Sequence, residues 1–384
     1  MISREKMFHW PIITAEDEAA VLSVMHAGTM SGTDITKQFE KEFAAWNGVT
    51  YALGTCNGTA AIQESYYACG VGPGTEVICP SMTYWATAAP AVSLGADVVF
   101  ADVEKDTLCL DPADIEHRIT ARTKAIMVVH YGGYPADMES ICAIARRHGV
   151  KVIEDVSHAQ GSLYHGRKCG TFGDIAAVSM MGGKSFAVGE GGMVLTNDRE
   201  LFEKCMAFGH YERIAASRYS KPSEKVSPEL EKYAGVPMGG VKHRMNQTCS
   251  AMGRVQLKYY DERIAEIQKA INYFWDLLAD NPAIKAHRPP AGSNSTMGGW
   301  YSPRGLYRGK DCAAFCEKVR NSGCTDCWPG ANFPLHTHPF FAERRQPEKL
   351  PVSEAIAELA YPIPWFKHYD EELIREYAEM FRHQ

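Results

Sequence analysis

The chain has 384 residues, 45% of them hydrophobic and 22% charged, and its 40 basic and 46 acidic side chains leave a net charge of −6. That length suffices for one large domain and a smaller one, each with its own core, and the acidic balance leaves no footprint for nucleic acid. The polar opening Met1-Ile2-Ser3-Arg4-Glu5-Lys6, and the lack of any run near ~18 apolar residues, predict a cytoplasmic protein with neither secretory signal nor membrane span.

In chain order, an N-terminal arm over 1–15 contains Trp10-Pro11 and leads into a helix starting near Thr14, with Glu16 and Asp17 in its first turn. A second helix is predicted from about Ile35 to Trp46. From there, apolar strand-like runs alternate with helix-length segments: Tyr51–Thr55, Glu76–Cys79, Asp97–Ala101, Ala125–His130, Lys151–Glu154, Ile175–Ser179 and Gly192–Thr196. This is the pattern of an α/β fold, a mainly parallel seven-stranded sheet sandwiched by helices, in which ligands gather at the carboxyl ends of the strands. The stretch from Glu200 to Gly240 is more polar, and Lys221-Pro222-Ser223-Glu224-Lys225 reads as a loop. A long helix over Asn246–Asp280 then joins the large domain (16–255) to a smaller C-terminal α+β domain, the two together filling 256–384. The small domain shows a strand-like run at Gly299–Tyr307, a helix over Asp311–Ser322, a Pro/His-rich loop at Pro329–Pro339 and a terminal helix from Asp370.

The chemistry concentrates on Lys184, set in Met180-Met181-Gly182-Gly183-Lys184-Ser185-Phe186-Ala187-Val188-Gly189-Glu190-Gly191-Gly192. Small and apolar neighbours disfavour the ammonium form, and a neutral lysine amine is the group that bonds the aldehyde of pyridoxal 5'-phosphate (PLP). Asp155 ends an apolar strand, placed either to pair with a pyridinium nitrogen or to cap a following helix. His158 follows three residues later, able to reach the cofactor's phenolic oxygen or pack on its ring. Asn57-Gly58-Thr59-Ala60-Ala61 opens a helix after a strand, which suits a phosphate, and Ser179 at another strand end offers a second hydroxyl. Tyr84 or Trp85, after the strand at Glu76, supplies an aromatic face; each of these alone also reads as ordinary core or cap.

Ser81-Met82-Thr83, Ile153-Glu154-Asp155 with His158 and Gly161, Gly170-Thr171-Phe172-Gly173-Asp174, Lys184 with Gly189-Glu190-Gly191-Gly192, and Gly240-Val241-Lys242-His243-Arg244-Met245 are the most specific pieces of a pattern that runs along essentially the whole chain. Together they resemble the DegT/DnrJ/EryC1/StrS family of PLP-dependent aminotransferases, which aminate keto-sugars and ketocyclitols. The resemblance implies a fold-type I PLP-dependent transferase that works as a homodimer with shared active sites. Lys184 would hold the cofactor and move the proton, Asp155 would pair with the ring nitrogen, and Tyr84 would stack on the ring. Gly58, Thr59 and Ser179 would hold the phosphate, helped by Lys242 of the partner subunit, where the family pattern has Asn. The amino donor would be Glu or Gln. Many nucleotide-sugar members carry Phe-His before the lysine loop, where this chain has Met180-Met181-Gly182-Gly183, and a Gly directly before the lysine looks more like the branch acting on ketocyclitols or making aminohydroxybenzoate.

Two other readings share these residues: an eliminating, aromatising PLP enzyme of the aminohydroxybenzoate synthase type, and a PLP-binding sensor without turnover. His336 and His338 fall near a Pro-Leu-His stretch that the resemblance brings to the substrate mouth, against the alternative of a solvated loop. Arg213 and Arg218 lie in a segment that reads as salt-bridged surface. The twelve cysteines read as reduced thiols. Cys312, Cys316, Cys324 and Cys327 have zinc-like spacing at one end, but Cys312 and Cys316 lie one turn apart on an amphipathic helix, so core packing rather than metal is expected.

Overall fold

The computed structural model describes residues 3–214, 226–345 and 348–382. Its main strands are β1 (Tyr51–Thr55), β2 (Glu76–Pro80), β3 (Asp97–Ala101), β4 (Thr123–Val129), β5 (Lys151–Asp155), β8 (Ile175–Ser179) and β9 (Gly192–Thr196), with a short hairpin β6 (Leu163–Tyr164) and β7 (Arg167–Lys168) between them. The seven form one sheet in the order β1-β9-β8-β5-β4-β2-β3, parallel except that β9 runs antiparallel to both its neighbours. All seven predicted strands therefore form, within two residues of their expected ends.

The reason is visible in the burial pattern. Val77, Cys79, Met127, Ile153 and Val194 enter one core layer, whereas Ile78, Ile126, Val128 and Val152 enter the layer on the opposite face. Successive strand residues point to opposite faces, so a sheet covered on both sides needs unbroken apolar runs. Helix starts follow local chemistry. Thr14 and Asp17 form a reciprocal capping box for the helix Ala15–His26, with Asp17 N donating to Thr14 Oγ1 at 3.3 Å and Thr14 N to Asp17 Oδ2 at 2.9 Å.

The helix Gln247–Leu277 has 31 residues, a span of about 46 Å. It packs first on Ala15–His26 and Asp34–Asn47 and then on the C-terminal helix Glu371–Arg382. The division expected at 255/256 falls inside this helix, which serves both halves. Beyond it, β10 (Ile284–Ala286), β11 (Arg304–Tyr307) and β12 (Ala360–Pro362) make a three-stranded antiparallel sheet. Phe274, Trp275, Phe315, Phe366, Ile374 and Phe381 fill the small half's core, and Met7 of the N-terminal arm is buried among them.

Several expectations are corrected. The strand predicted at Gly299–Tyr307 shrinks to β11, because Trp300 and Ser302 have left-handed φ values of 52° and 48° that no strand ladder accepts. The loop Pro329–Pro339 contains a 3-10 turn, Leu335–Thr337, ahead of the short helix Pro339–Ala342. Arg213 is not surface: it is 3% exposed and pairs with buried Glu40, whose Oε1 also accepts from Gly54 N at 2.7 Å. Arg218 and the Lys221–Lys225 loop lie outside the described residues. Cys312, Cys316, Cys324 and Cys327 pack in the small half's core; among the described residues no group of three or more His, Cys, Asp or Glu side chains is arranged to hold a metal. No described helix is long and apolar enough to cross a membrane.

Candidate active site

Because β1, β2, β4, β5 and β8 run in the same direction, their carboxyl ends share one edge of the sheet. There a cavity of about 510 Å³ collects Asn57, Gly58 and Thr59 after β1, Tyr84 and Thr87 after β2, Tyr131 after β4, Asp155 and His158 at β5, Ser179 at β8, and Lys184. A single space thus takes in residues more than a hundred positions apart.

The loop carrying Lys184 doubles back on itself: Gly182 N donates to Gly189 O at 2.8 Å, and Met180 N to Gly191 O at 2.8 Å. Its glycines make room for the chain itself. A Cβ at Gly192 would lie 2.4 Å from Asn57 O, and one at Gly191 would lie 2.6 Å from Met245 Cε. Lys184 is 8% exposed, and Nζ sits 4.0 Å from the Tyr301 ring centroid. Burial pulls its pKa down to about 8, against the opposing pull of Asp155. At neutral pH roughly a tenth of such amines is unprotonated, hundreds of times more than for an ordinary lysine.

Asp155 and Glu154 are adjacent acids that the pleat sends opposite ways. Asp155 is 4% exposed and faces the cavity; Oδ2 accepts from Thr87 Oγ1 at 2.9 Å and Oδ1 from Ser157 N at 3.0 Å. It caps no regular helix. Glu154 faces the interior and accepts from Gly170 N (2.7 Å), Phe172 N (2.8 Å) and Gly173 N (2.7 Å), and from His130 Nε2 at 3.0 Å. Burial opposes its ionisation, but His130 and these amides together hold it below the usual carboxylate range. The Gly170–Asp174 segment is therefore scaffold.

His158 is buried, with its ring 4.5 Å from Tyr301 and edge-on to Tyr131 at 5.7 Å. Burial first, then the charges of Lys184 and Arg304, push its pKa well below normal, so it is neutral. Gly132 N points at Nδ1 from 3.4 Å, which assigns the proton to Nε2.

The helix Gly58–Ala68 is capped by Asn57, whose Oδ1 takes Ala60 N at 2.9 Å. The amides of Gly58 and Thr59 have no acceptor among the described residues, leaving an anion cup at the helix start. Ser179 closes it: a Cβ at Gly58 would lie 2.5 Å from Ser179 Cβ, so only glycine fits. Ser157 Oγ and Gln160 Nε2 hold the Ser179 backbone at 3.0 and 2.6 Å. Tyr84 is 52% exposed, its ring 5.2 Å from that of Trp85, at the cavity's open side.

The remaining expected residues lie elsewhere. Lys242 is exposed and does not line its own chain's cavity. His336 is buried away from it, with Nδ1 2.7 Å from Ser81 Oγ and Nε2 3.2 Å from Glu354 Oε1, so its expected place at the substrate mouth is not observed. His338 caps the helix Pro339–Ala342 and lines a neighbouring groove with Thr59, Trp85 and Phe333. Sequence reasoning missed Thr87, Tyr131, Tyr301, Arg304 and Asn332, all at the cavity. Thr87 stands one helical turn beyond Tyr84 and was within reach; the small-half residues carried no local signal.

Residues 11–382 match the DegT/DnrJ/EryC1/StrS aminotransferase family. A relative named GDP-perosamine synthase, from Escherichia coli O157:H7, is 31% identical over 368 residues, 95% of this chain and 94% of its own. The structure of an aminotransferase from Psychrobacter cryohalolentis superposes with a TM-score of 0.86 at 28% identity, covering 97% of both chains. That of 3-amino-5-hydroxybenzoic acid synthase does so with a TM-score of 0.80 at 26% identity, again over 97% of both. The chain belongs to the DegT/DnrJ/EryC1/StrS aminotransferase family.

Proposed function

We propose that this aminotransferase holds pyridoxal 5'-phosphate in the Lys184 cavity and uses it to move an amino group from Glu or Gln to the ketone of a sugar ring. The observation that carries the reading is the meeting, in one cavity, of a buried lysine with a pKa near 8, a cavity-facing carboxylate and an anion cup at a helix start. These groups fit the cofactor's aldehyde, ring nitrogen and phosphate in turn. The cofactor supplies a protonated ring that delocalises the electron pair left when a bound amine loses its Cα proton.

The chain's own residues supply the rest. Lys184 Nζ takes the proton from substrate Cα and returns it, a transfer suited to an amine whose pKa lies near the working pH. Asp155, with both oxygens fixed by Thr87 and Ser157, holds the proton on the ring nitrogen by charge pairing. Neutral His158 would offer its Nε2 proton to the ring's oxygen substituent. Tyr84 would cover a ring face, and Gly58, Thr59 and Ser179 would bind the phosphate.

Tyr84 and Trp85 are about half exposed beside the cavity, as expected if a second copy covers them and Lys242 of the partner subunit reaches the phosphate. A nucleotide-linked or free keto-sugar both suit the reading. The 31% identical relative's name supports the former; Gly182-Gly183 before the lysine keeps ketocyclitols within it. The test is to load the protein with PLP, add Glu or Gln, and follow the cofactor's absorbance, then add a panel of keto-sugars. Conversion by the amino acid and recovery by a ketone, with an amino sugar as product, is expected; an aromatic product, or no response to any donor, would overturn the assignment.

A further inference from the structure

On its small-half side the cavity is closed by Tyr301, Ser302 and Arg304. The left-handed backbone at Trp300 and Ser302 carries Tyr301 over the Lys184 amine. Such strain persists only where surrounding contacts enforce it, here Trp365, which donates from Nε1 to Gly299 O at 3.0 Å and packs edge-on against Tyr301. Arg304 follows at the start of β11, and Gly305 after it lies so close to Tyr361 that a Cβ would come within 2.3 Å of the ring. The strand is thereby pinned, and the Arg304 side chain is aimed from a fixed base.

That side chain is under-used. Nη2 donates to Ser302 Oγ at 3.2 Å, Nη1 is 3.5 Å from Gly330 O, the guanidinium also reaches the Tyr131 hydroxyl, and Nε is buried with no acceptor. Arg304 makes no ion pair among the described residues. The cavity's carboxylates are otherwise engaged: Asp155 by Thr87 and Ser157, while Glu190 stands at the exposed rim. Yet the guanidinium charge is felt by His158, Tyr131 and Tyr301, so it acts in the same space as Lys184. A guanidinium partly withdrawn from water, with free donors and no counterion, is a receptor for a planar anion.

We infer that Arg304 receives the α-carboxylate of the amino-acid donor and so sets both its binding and its orientation, an inference that rests on the aminotransferase reading above. The carboxylate is bonded to the same carbon that must surrender its proton. With the amine drawn to the cofactor position and the carboxylate clamped by Arg304, two of the four substituents on Cα are fixed. The Cα–H bond is then turned toward Lys184 Nζ rather than free to rotate away. The other anion that could seek this charge is the diphosphate of a nucleotide-linked acceptor.

The test uses the PLP-loaded protein and two inert probes, α-methylglutamine, whose Cα has no proton to lose, and its neutral α-carboxamide, with binding read by calorimetry. The wild type is expected to prefer the acid by about 100-fold. Arg304→Gln should reduce that preference to within about threefold, and Arg304→Lys should leave an intermediate value, since the charge stays and the fork is lost. Cofactor absorbance should be unchanged in both variants. If Arg304→Gln keeps the preference, or instead weakens binding of a nucleoside diphosphate while the acid-to-amide ratio stands, the assignment is overturned. A wild type that converts amino acids but does not prefer the acid overturns Arg304 alone; one that converts no amino acid overturns the aminotransferase reading with it.

Discussion

Among the described residues two lysines are buried and both carry amines shifted toward neutrality, yet their surroundings differ in kind. Lys184 is 8% exposed and Lys367 is 4% exposed. Burial lowers the first to about 8 and the second, with no carboxylate to oppose it, to about 5. Each lies over an aromatic face, Lys184 over Tyr301 and Lys367 over Trp365 and Trp10. Lys184, however, opens into a cavity with Asp155 and the Gly58–Ser179 cup, whereas Lys367 does not line that cavity and is wrapped by indoles between the N-terminal arm and the small half. A perturbed amine alone does not make a site; convergence with groups that bind the rest of a cofactor does.

Substitutions at each place separate the two roles. Lys184→Ala should lower turnover by roughly 10⁴-fold and abolish the cofactor's bound absorbance, while far-UV circular dichroism stays unchanged. In the wild-type apoprotein, the rate of cofactor capture should rise with pH through about 8 and level off above it, because the neutral amine is the reacting form. Asp155→Asn keeps shape but removes the charge, and should cost about 10³-fold in turnover with PLP still bound. Gly58→Ala forces a methyl to within 2.5 Å of Ser179 Cβ, and PLP affinity measured by dialysis should fall by about tenfold to a hundredfold. Lys367→Met should leave turnover within about threefold and stability unchanged or raised by about 1 kcal/mol. Between pH 5 and the ordinary lysine range near ~10.4, the unfolded wild type binds a proton that the folded state refuses, so its stability rises with pH. Lys367→Met should flatten that rise in denaturant titrations.

The same contrast explains what the sequence disclosed. Each main strand is an apolar run of about five residues between turn signals, and β1, β5 and β8 bring their chemical residues at or just past their carboxyl ends, so Asp155, Ser179 and the Asn57-Gly58-Thr59 turn were legible from position alone. Lys184 stood out because glycine and apolar neighbours are an unusual setting for an ammonium. Tyr301 and Arg304 were hidden because their placement depends on left-handed backbone at Trp300 and Ser302, residue types that do not advertise it, and on packing against Trp365 far along the chain. His336 misled in the opposite direction, since its bonds to Ser81 and Glu354 come from segments that local pattern does not connect. Lys367 sent no signal at all, because an apolar enclosure assembled from Trp10 and Trp365 exists only in the folded state.

The most direct measurement is borohydride treatment of the PLP-loaded protein, which fixes the cofactor to the amine that holds it, followed by peptide mapping. Label is expected on the peptide containing Lys184 and none on that containing Lys367. Label at Lys367 or any other lysine, with Lys184 unmodified, would contradict the role given to Lys184.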